Sequence, residues 1–237
     1  MVRRAAEDRG GLTAGVREAE VTVMQFRDRR QAGGQLAEVL RTRQDEGALP
    51  DPLVLALPRG GVAVGREVAR VLDAPLDVLV VRKIGAPFQE ELGVGAMAGD
   101  EVPLLDEDAL RHLGIGEAAL APVIERERVE LRRREQLYRQ GRPALDLRGH
   151  TVIVVDDGLA TGSTARAALR YVRRQEPGRV VLAAPVCSPE AAALMRTEAD
   201  EVICLHRPAA FVAVGLWYEN FEQLTDRDVL EALHVQL

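Results

Sequence analysis

The chain has 237 residues, with 31 Lys+Arg against 37 Asp+Glu for a formal net charge of −6, and 47% hydrophobic and 29% charged residues. This is the composition of a globular chain able to bury a sizeable core; it excludes a disordered chain, and its acidic balance argues against a general nucleic-acid binder. Lys83 is the single lysine and Ile84 follows it, so a Walker A loop, which needs Gly-Lys-Ser/Thr, is excluded as well.

Residues 1–22 are rich in Arg, Glu, Ala and Gly without an apolar period and read as a loose extension to a single domain over 23–237. The N-terminal segment carries charge but no apolar core of a secretory signal, and no apolar run approaches the roughly 20 residues of a membrane span, so a cytoplasmic location is expected. From Phe26, the residues Phe26, Ala32, Leu36 and Leu40 recur at near-helical spacing and predict a helix ending near Gly47. Short, continuous apolar runs follow at Leu53–Leu57, Asp77–Val81, Thr151–Val155, Val180–Ala184 and Glu201–Leu205, with helical patterns at Val62–Leu72, Ser163–Arg174 and Pro189–Arg196 between them. Continuous rather than alternating strands, separated by helices, predict a doubly wound α/β fold with a mostly parallel sheet covered on both faces.

One segment, 106–140, interrupts this alternation with pure helical pattern and is read as an insertion, with Leu120, Ile124, Leu131 and Tyr138 turned inward. Arg132–Arg134 within it reads as a solvated face, because Glu127, Glu130 and Glu135 offset its charge. Gly114-Ile-Gly-Glu-Ala-Ala119 formally matches G-x-G-x-x-A but follows a helical pattern instead of a strand, so a dinucleotide site is rejected on context. Cys187 and Cys204 sit far apart inside apolar runs and are expected as buried thiols, not as a disulfide or zinc site. The four histidines show no ligand spacing.

The stretch that carries chemistry is Val152-Ile-Val-Val-Asp-Asp-Gly-Leu-Ala-Thr-Gly-Ser-Thr164. A buried strand ends in two carboxylates, and a loop of small residues then opens a helix. Gly158 and Gly162 let the backbone approach a ligand, and free N–H groups at the helix start, with the hydroxyls of Thr161, Ser163 and Thr164, favour an anion. Asp156 and Asp157 cannot bind phosphate but can accept hydrogen bonds from sugar hydroxyls. Either fragment alone reads as a turn or an N-cap; a phosphate site beside a diol site, at the carboxyl end of a parallel strand, points to a sugar phosphate.

These residues resemble the signature of the type I phosphoribosyltransferases, in which two acids precede a small loop ending Thr-Gly-x-Thr; the resemblance extends from about residue 26 to the C-terminus. It implies a substrate, 5-phosphoribosyl 1-pyrophosphate (PRPP), whose ribose 2- and 3-hydroxyls meet Asp156 and Asp157, directly or through Mg2+, and whose 5-phosphate lies in the loop of Gly158, Ala160, Thr161, Gly162, Ser163 and Thr164. Leu57-Pro58-Arg59-Gly60-Gly61 resembles the family's pyrophosphate loop, assigning Arg59, Gly60 and Gly61 to the leaving group. Arg82 and Lys83 match the cationic entrance to a flexible lid running from Ile84 to about Gly99, and the resemblance expects both at the diphosphate. Phe211, Trp217 and Tyr218 fall where the family has a C-terminal hood (about 206–237) that closes over the acceptor, although an aromatic cluster equally suits a core.

The pattern departs from oxopurine-type members at Ala160, where an acid serves them as general base; lid carboxylates Glu90 and Glu91 are the remaining candidates for acid/base work. The resemblance therefore implies transfer of a phosphoribosyl group to a nitrogen acceptor, a nucleobase above others, with Mg2+ bound mainly through the substrate, no nucleic-acid or membrane partner, and a homo-oligomer such as a dimer. Two other readings stand beside it: a PRPP- or nucleotide-sensing regulator on the same fold, and a hydrolase or phosphatase using Asp156 and Asp157 to hold a metal.

Overall fold

A computed structural model of the chain describes residues 26–99 and 102–234, with the side chains of Glu91 and His234 left aside. The expected extension at 1–22 lies outside the described residues. The core is a five-stranded, all-parallel sheet in the order β2-β1-β6-β7-β8, formed by β1 (Pro52–Ala56), β2 (Leu76–Val78), β6 (Thr151–Val155), β7 (Arg179–Val186) and β8 (Glu201–His206). It is the doubly wound α/β architecture that the apolar runs predict.

The sheet is buried on both faces because successive side chains point to opposite sides. Val54, Ala56, Ile153, Val155, Val181 and Ala183 belong to the layer holding α1 (Arg29–Asp45), α2 (Gly60–Leu72), α4 (Glu117–Arg139) and α7 (Asp226–His234). Leu53, Leu55, Val152, Val154, Val180 and Leu182 belong to the layer holding α5 (Ser163–Arg174) and α6 (Pro189–Met195). The first helix starts where Asp28 caps it, accepting from the Gln31 amide at 2.7 Å. Gly33 lets α1 close onto α2; a Cβ there would stand 2.9 Å from the Val64 carbonyl oxygen. In the 106–140 segment, Gly114 at φ 64° ends a short helix, α3 (Glu107–Leu113), and Gly116 precedes α4, so the formal G-x-G match is a helix-to-helix turn.

Two expectations are corrected here. The predicted strand Asp77–Val81 breaks after Val78, and Val81 instead begins β3 (Val81–Ala86) of a second sheet. With β4 (Gln89–Ala98) and β5 (Leu104–Leu105) it makes an antiparallel sheet, and the segment expected as a lid takes the form of a hairpin. Ile84, Val94 and Met97 anchor it in the core. Gly85 permits it: a Cβ there would meet the Glu90 carbonyl oxygen at 2.2 Å, which only glycine allows. Cys187 and Cys204, expected as separate thiols, are joined as a disulfide, because β7 and β8 are neighbours and Ala184 pairs with Cys204, bringing the end of one strand beside the other.

Candidate active site

The order of winding fixes where a site can form. From β1 the chain steps outward to β2; it then returns to β6 on the other side of β1 and continues outward through β7 and β8. Strand order thus reverses between β1 and β6, whose ends pair as Ala56 with Val155. Loops leaving two adjacent strands toward opposite layers open a crevice at their carboxyl ends, which is where open α/β sheets hold ligands. Here those loops are Leu57–Gly61 and Asp156–Gly162.

The two loops are packed on each other at glycines. A Cβ on Gly60 would lie 1.8 Å from Asp157 Oδ2, and one on Gly61 would lie 2.7 Å from the Val155 carbonyl oxygen. The peptide between Pro58 and Arg59 is cis, and Arg59 stands at the N-terminal boundary of α2. Gly60 and Gly61 therefore bring the start of α2 against the acidic pair. The sequence places Gly60, Gly61, Asp156 and Asp157 in two distant segments, and the fold makes them one surface; Arg59, expected with them, instead lines a separate cavity with Arg30, Arg66 and Asp228.

On the other side of the acids, Gly162 adopts φ +76° and α5 begins at the next residue. The first N–H groups of a helix have no partner within it, so the turn through Thr161–Thr164 presents donors outward. Thr161 and Ser163 stand with their hydroxyl oxygens 3.3 Å apart. The loop is held from behind by a residue the sequence motif does not contain: Ser188 donates its hydroxyl to the Ala160 carbonyl at 2.6 Å while capping α6 through the Ala191 amide. Val214 closes the near wall, since a Cβ on Gly158 would stand 2.5 Å from its Cγ1. Together Lys83, Asp156, residues 158–165 and Val214 line a cavity of about 220 Å³. A second cavity of about 410 Å³, under the hairpin, shares Lys83, Thr161 and Ser163 with the first and is completed by Gly93, Gly95, Leu104, Asp106, Arg166 and Leu194.

The two acids differ in environment. Burial, reinforced by the adjoining Asp157 carboxylate, pushes the Asp156 carboxyl well above the ordinary carboxylate range. Asp156 Oδ1 also accepts from the Asp157 amide at 2.9 Å. Asp157 meets a cation: Arg29 Nε donates to its Oδ2 at 2.7 Å. Tyr218 donates its hydroxyl to the Asp157 main-chain oxygen at 2.5 Å, and burial raises that phenol's pKa, so the hydroxyl keeps its proton.

Other expected site residues are placed differently. Arg82, expected beside Lys83 at the diphosphate, turns to α4 and pairs with Glu127 at 2.6 Å. Glu90 is exposed at the hairpin and pairs with Arg126 at 3.0 Å; the Glu91 side chain lies outside what the structure describes. Tyr218, one of the candidate hood aromatics, is 4% exposed and belongs to a small core with Phe26 and Ala32. Trp217 stacks on His206 at the end of a short 3-10 helix, Val214–Trp217, and Phe211 lies half-buried in the connection before it. Arg29 and Ser188 had no motif to reveal them: one is an arginine among many, and the other reads as an ordinary N-cap.

The phosphoribosyl transferase domain family matches residues 30–219. The chain belongs to that family. It is 45% identical over 208 residues to two Mycobacterium tuberculosis proteins, one from each of two strains, both named "Putative phosphoribosyl transferase". The match takes in 88% of this chain and 46% of those relatives, so the chain spans less than half their length. It also resembles the crystal structure of TT1426 from Thermus thermophilus, with 44% identity and a TM-score of 0.75 over 89% of this chain and 98% of that one. In this phosphoribosyl transferase domain, the acidic pair and the small-residue loop lie at the reversal point of the sheet. No helix among the described residues is long and apolar enough to cross a membrane.

Proposed function

We propose that this domain transfers the 5-phosphoribosyl group of PRPP to a nitrogen acceptor, a nucleobase above other classes, and releases pyrophosphate. The observation that carries this reading is the convergence of Asp156–Asp157, the start of α2 at Gly60–Gly61 and Lys83 beside one helix-start loop. A sugar phosphate bearing a diphosphate needs three unlike subsites, and these residues offer them: donors for the 5-phosphate at 160–164, acceptors for the hydroxyls at Asp156 and Asp157, and Lys83 with the helix start at Gly60 for the leaving group.

The chemistry asks little covalent work of the protein. The acceptor nitrogen forms a bond to the anomeric carbon as the bond from that carbon to the diphosphate oxygen breaks, and positive charge develops on the sugar ring between the two. The start of α2 at Gly60–Gly61 and Lys83 bind the departing diphosphate. Asp156 and Asp157 accept hydrogen bonds from the two ribose hydroxyls. The hairpin β3–β4 covers the loop and limits access of water.

Mg2+ fits this donor set as a substrate-bound ion. It prefers one or two carboxylates together with phosphate oxygens and water over an all-protein cage. No group of three ligating side chains occurs among the described residues, and Asp156 and Asp157 are the pair that would reach it. When bound, it neutralises diphosphate charge.

Incubation of the protein with Mg2+, PRPP and a panel of nucleobases, followed by measurement of pyrophosphate release, tests the reading. Release with one base confirms transfer. Tight PRPP binding without release for any acceptor would favour the sensing role, and absence of PRPP binding would overturn the assignment of the site.

A further inference from the structure

The aromatic residues of the C-terminal segment converge on a cation. The guanidinium carbon of Arg29 lies 3.8 Å from the centroid of Phe221 and 5.9 Å from that of Tyr218, whose rings are themselves 5.0 Å apart. Arg29 Nη1 donates to the Glu222 carbonyl at 2.9 Å, and Nε donates to Asp157 Oδ2 at 2.7 Å. Arg29 and Asp157 are largely withdrawn from solvent, with side chains 11% and 15% exposed. A planar guanidinium can stack on a ring with its face and donate with its edge at the same time, which an ammonium cannot. Gly60 closes the arrangement from the other side, because a Cβ there would stand 3.1 Å from Arg29 Nε as well as against Asp157.

Building on the PRPP reading of the site, we infer that Arg29 is a positioning residue for sugar recognition: clamped by Phe221 and Glu222, it occupies one oxygen of Asp157 and aims the other at the ribose hydroxyl. The C-terminal aromatics then serve to hold the arginine that holds the acid, and this is why Tyr218 and Phe221 stack on each other and flank Arg29. The first helix of the domain and its C-terminal segment, which are joined where Phe26 and Tyr218 form an isolated bridge, are thereby both coupled to the sugar site, although neither contains a signature residue.

The clearest consequence is hydroxyl discrimination. A carboxylate oxygen fixed by an ion pair rejects a sugar lacking its hydroxyl, because the oxygen is left unpaired; a carboxylate free to rotate finds water instead. The test is the ratio of dissociation constants between ribose 5-phosphate and each of its 2-deoxy and 3-deoxy analogues, measured by calorimetry on the full chain. The wild type is expected to prefer the ribose compound by about tenfold or more over the analogue lacking the hydroxyl that Asp157 meets, the effect of one hydrogen bond to a charged group. In Arg29→Gln that ratio falls towards one, and in Arg29→Lys it is intermediate. Phe221→Leu keeps the charge and removes only the stacking surface, and it is expected to lower the ratio partway even if Arg29→Gln does not fold. A merely structural role would weaken all three sugars equally, so unchanged ratios in a folded Arg29→Gln or Phe221→Leu protein overturn the inference. If the wild type binds none of the sugars, or binds all equally, it is the sugar-phosphate assignment of the site that fails.

Discussion

Arg82 and Lys83 are neighbours on β3, yet they serve opposite sides of it: Arg82 closes on Glu127 of α4 at 2.6 Å, while Lys83 lines the cavities around the helix-start loop. The alternation of a strand enforces this division. Two adjacent cations cannot both face one ligand from a regular strand, and the residue facing the loop is the chain's single lysine.

The pair should separate stability from binding. Arg82→Ala leaves Glu127, whose side chain is 10% exposed, as a nearly buried carboxylate beside Arg126, at a cost of about 1–3 kcal/mol. For a domain of this size that is a fall of roughly 2–4 °C in melting temperature per kcal/mol, with PRPP affinity nearly unchanged. Lys83→Ala, on an exposed side chain, should leave the melting temperature within about 1–2 °C and weaken PRPP binding at least tenfold, the loss of one charge-assisted contact. Paired thermal melts and calorimetry read both. A variant Arg82→Ala that loses binding while keeping its stability would refute the division.

Asp156 should oppose stability as pH rises. Its folded pKa is raised above the ordinary 3.8, chiefly by burial and then by Asp157. The native state therefore binds this proton more tightly than the unfolded chain does, and stability drains away as pH climbs from about 4 through the folded value. Glu130 runs the other way. Its hydrogen bond to Arg133, aided by Arg134, lowers it from 4.5 to about 2, so its contribution is complete above about pH 5 and is lost as pH falls towards 2. Asp156→Asn removes only the first effect. The variant should melt higher than the wild type at pH 7, match it near pH 4, and bind PRPP more weakly at both. Equal melting temperatures across this range would show that burial does not raise the Asp156 carboxyl in the folded protein.

The apolar runs revealed the parallel sheet because strands buried on both faces need continuous hydrophobicity, and each of those at residues 53, 151, 180 and 201 is a real strand. The hairpin was hidden for the converse reason. Its residues 84–98 mix Gly, Pro and carboxylates with apolar side chains, and its close pairing at Gly85 is a property of two backbones, which a pattern of side chains does not encode. Asp156 and Asp157 were legible as a motif since both carboxylates directly follow a β-branched run. Arg29 was not, because the pairing joins residues 128 positions apart and nothing local distinguishes it from its neighbour Arg30.

The Cys187–Cys204 disulfide closes a short loop, with a sequence separation of 17, and it lies behind the phosphate-type loop. The Ser188 amide donates to Leu159 and the Cys187 amide to His206. Loop-closure entropy for such a crosslink corresponds to about 3 kcal/mol. Treatment with a dithiol reductant, or Cys204→Ser, should therefore lower the melting temperature by about 6–12 °C, and alkylation followed by mass spectrometry should find two reactive thiols only after reduction and unfolding. Two titratable thiols in the untreated, denatured protein would instead establish that the pair is unjoined in solution.

Gly60→Ala tests the contact on which the site depends. A methyl group at this position would need to occupy a point 1.8 Å from Asp157 Oδ2 and 2.4 Å from its Cγ, well inside any allowed approach. Asp157 is not a flexible surface chain that could swing aside, since its other partner is the clamped Arg29. Either the Arg59–Gly61 loop lifts, separating the start of α2 from the acids, or the ion pair breaks. Overpacking of this kind costs about 1–3 kcal/mol, and in both outcomes the subsites lose their alignment. The expected result is a folded protein with a melting temperature lower by several degrees and PRPP affinity down at least tenfold. Gly34→Ala is the matched control: it lies on α1, little more than one turn from Arg29, and a Cβ there meets nothing within 4 Å, so affinity should be retained and helix propensity should raise the melting temperature slightly. If Gly60→Ala binds PRPP as tightly as Gly34→Ala does, the close packing of the two loops is not what assembles the site.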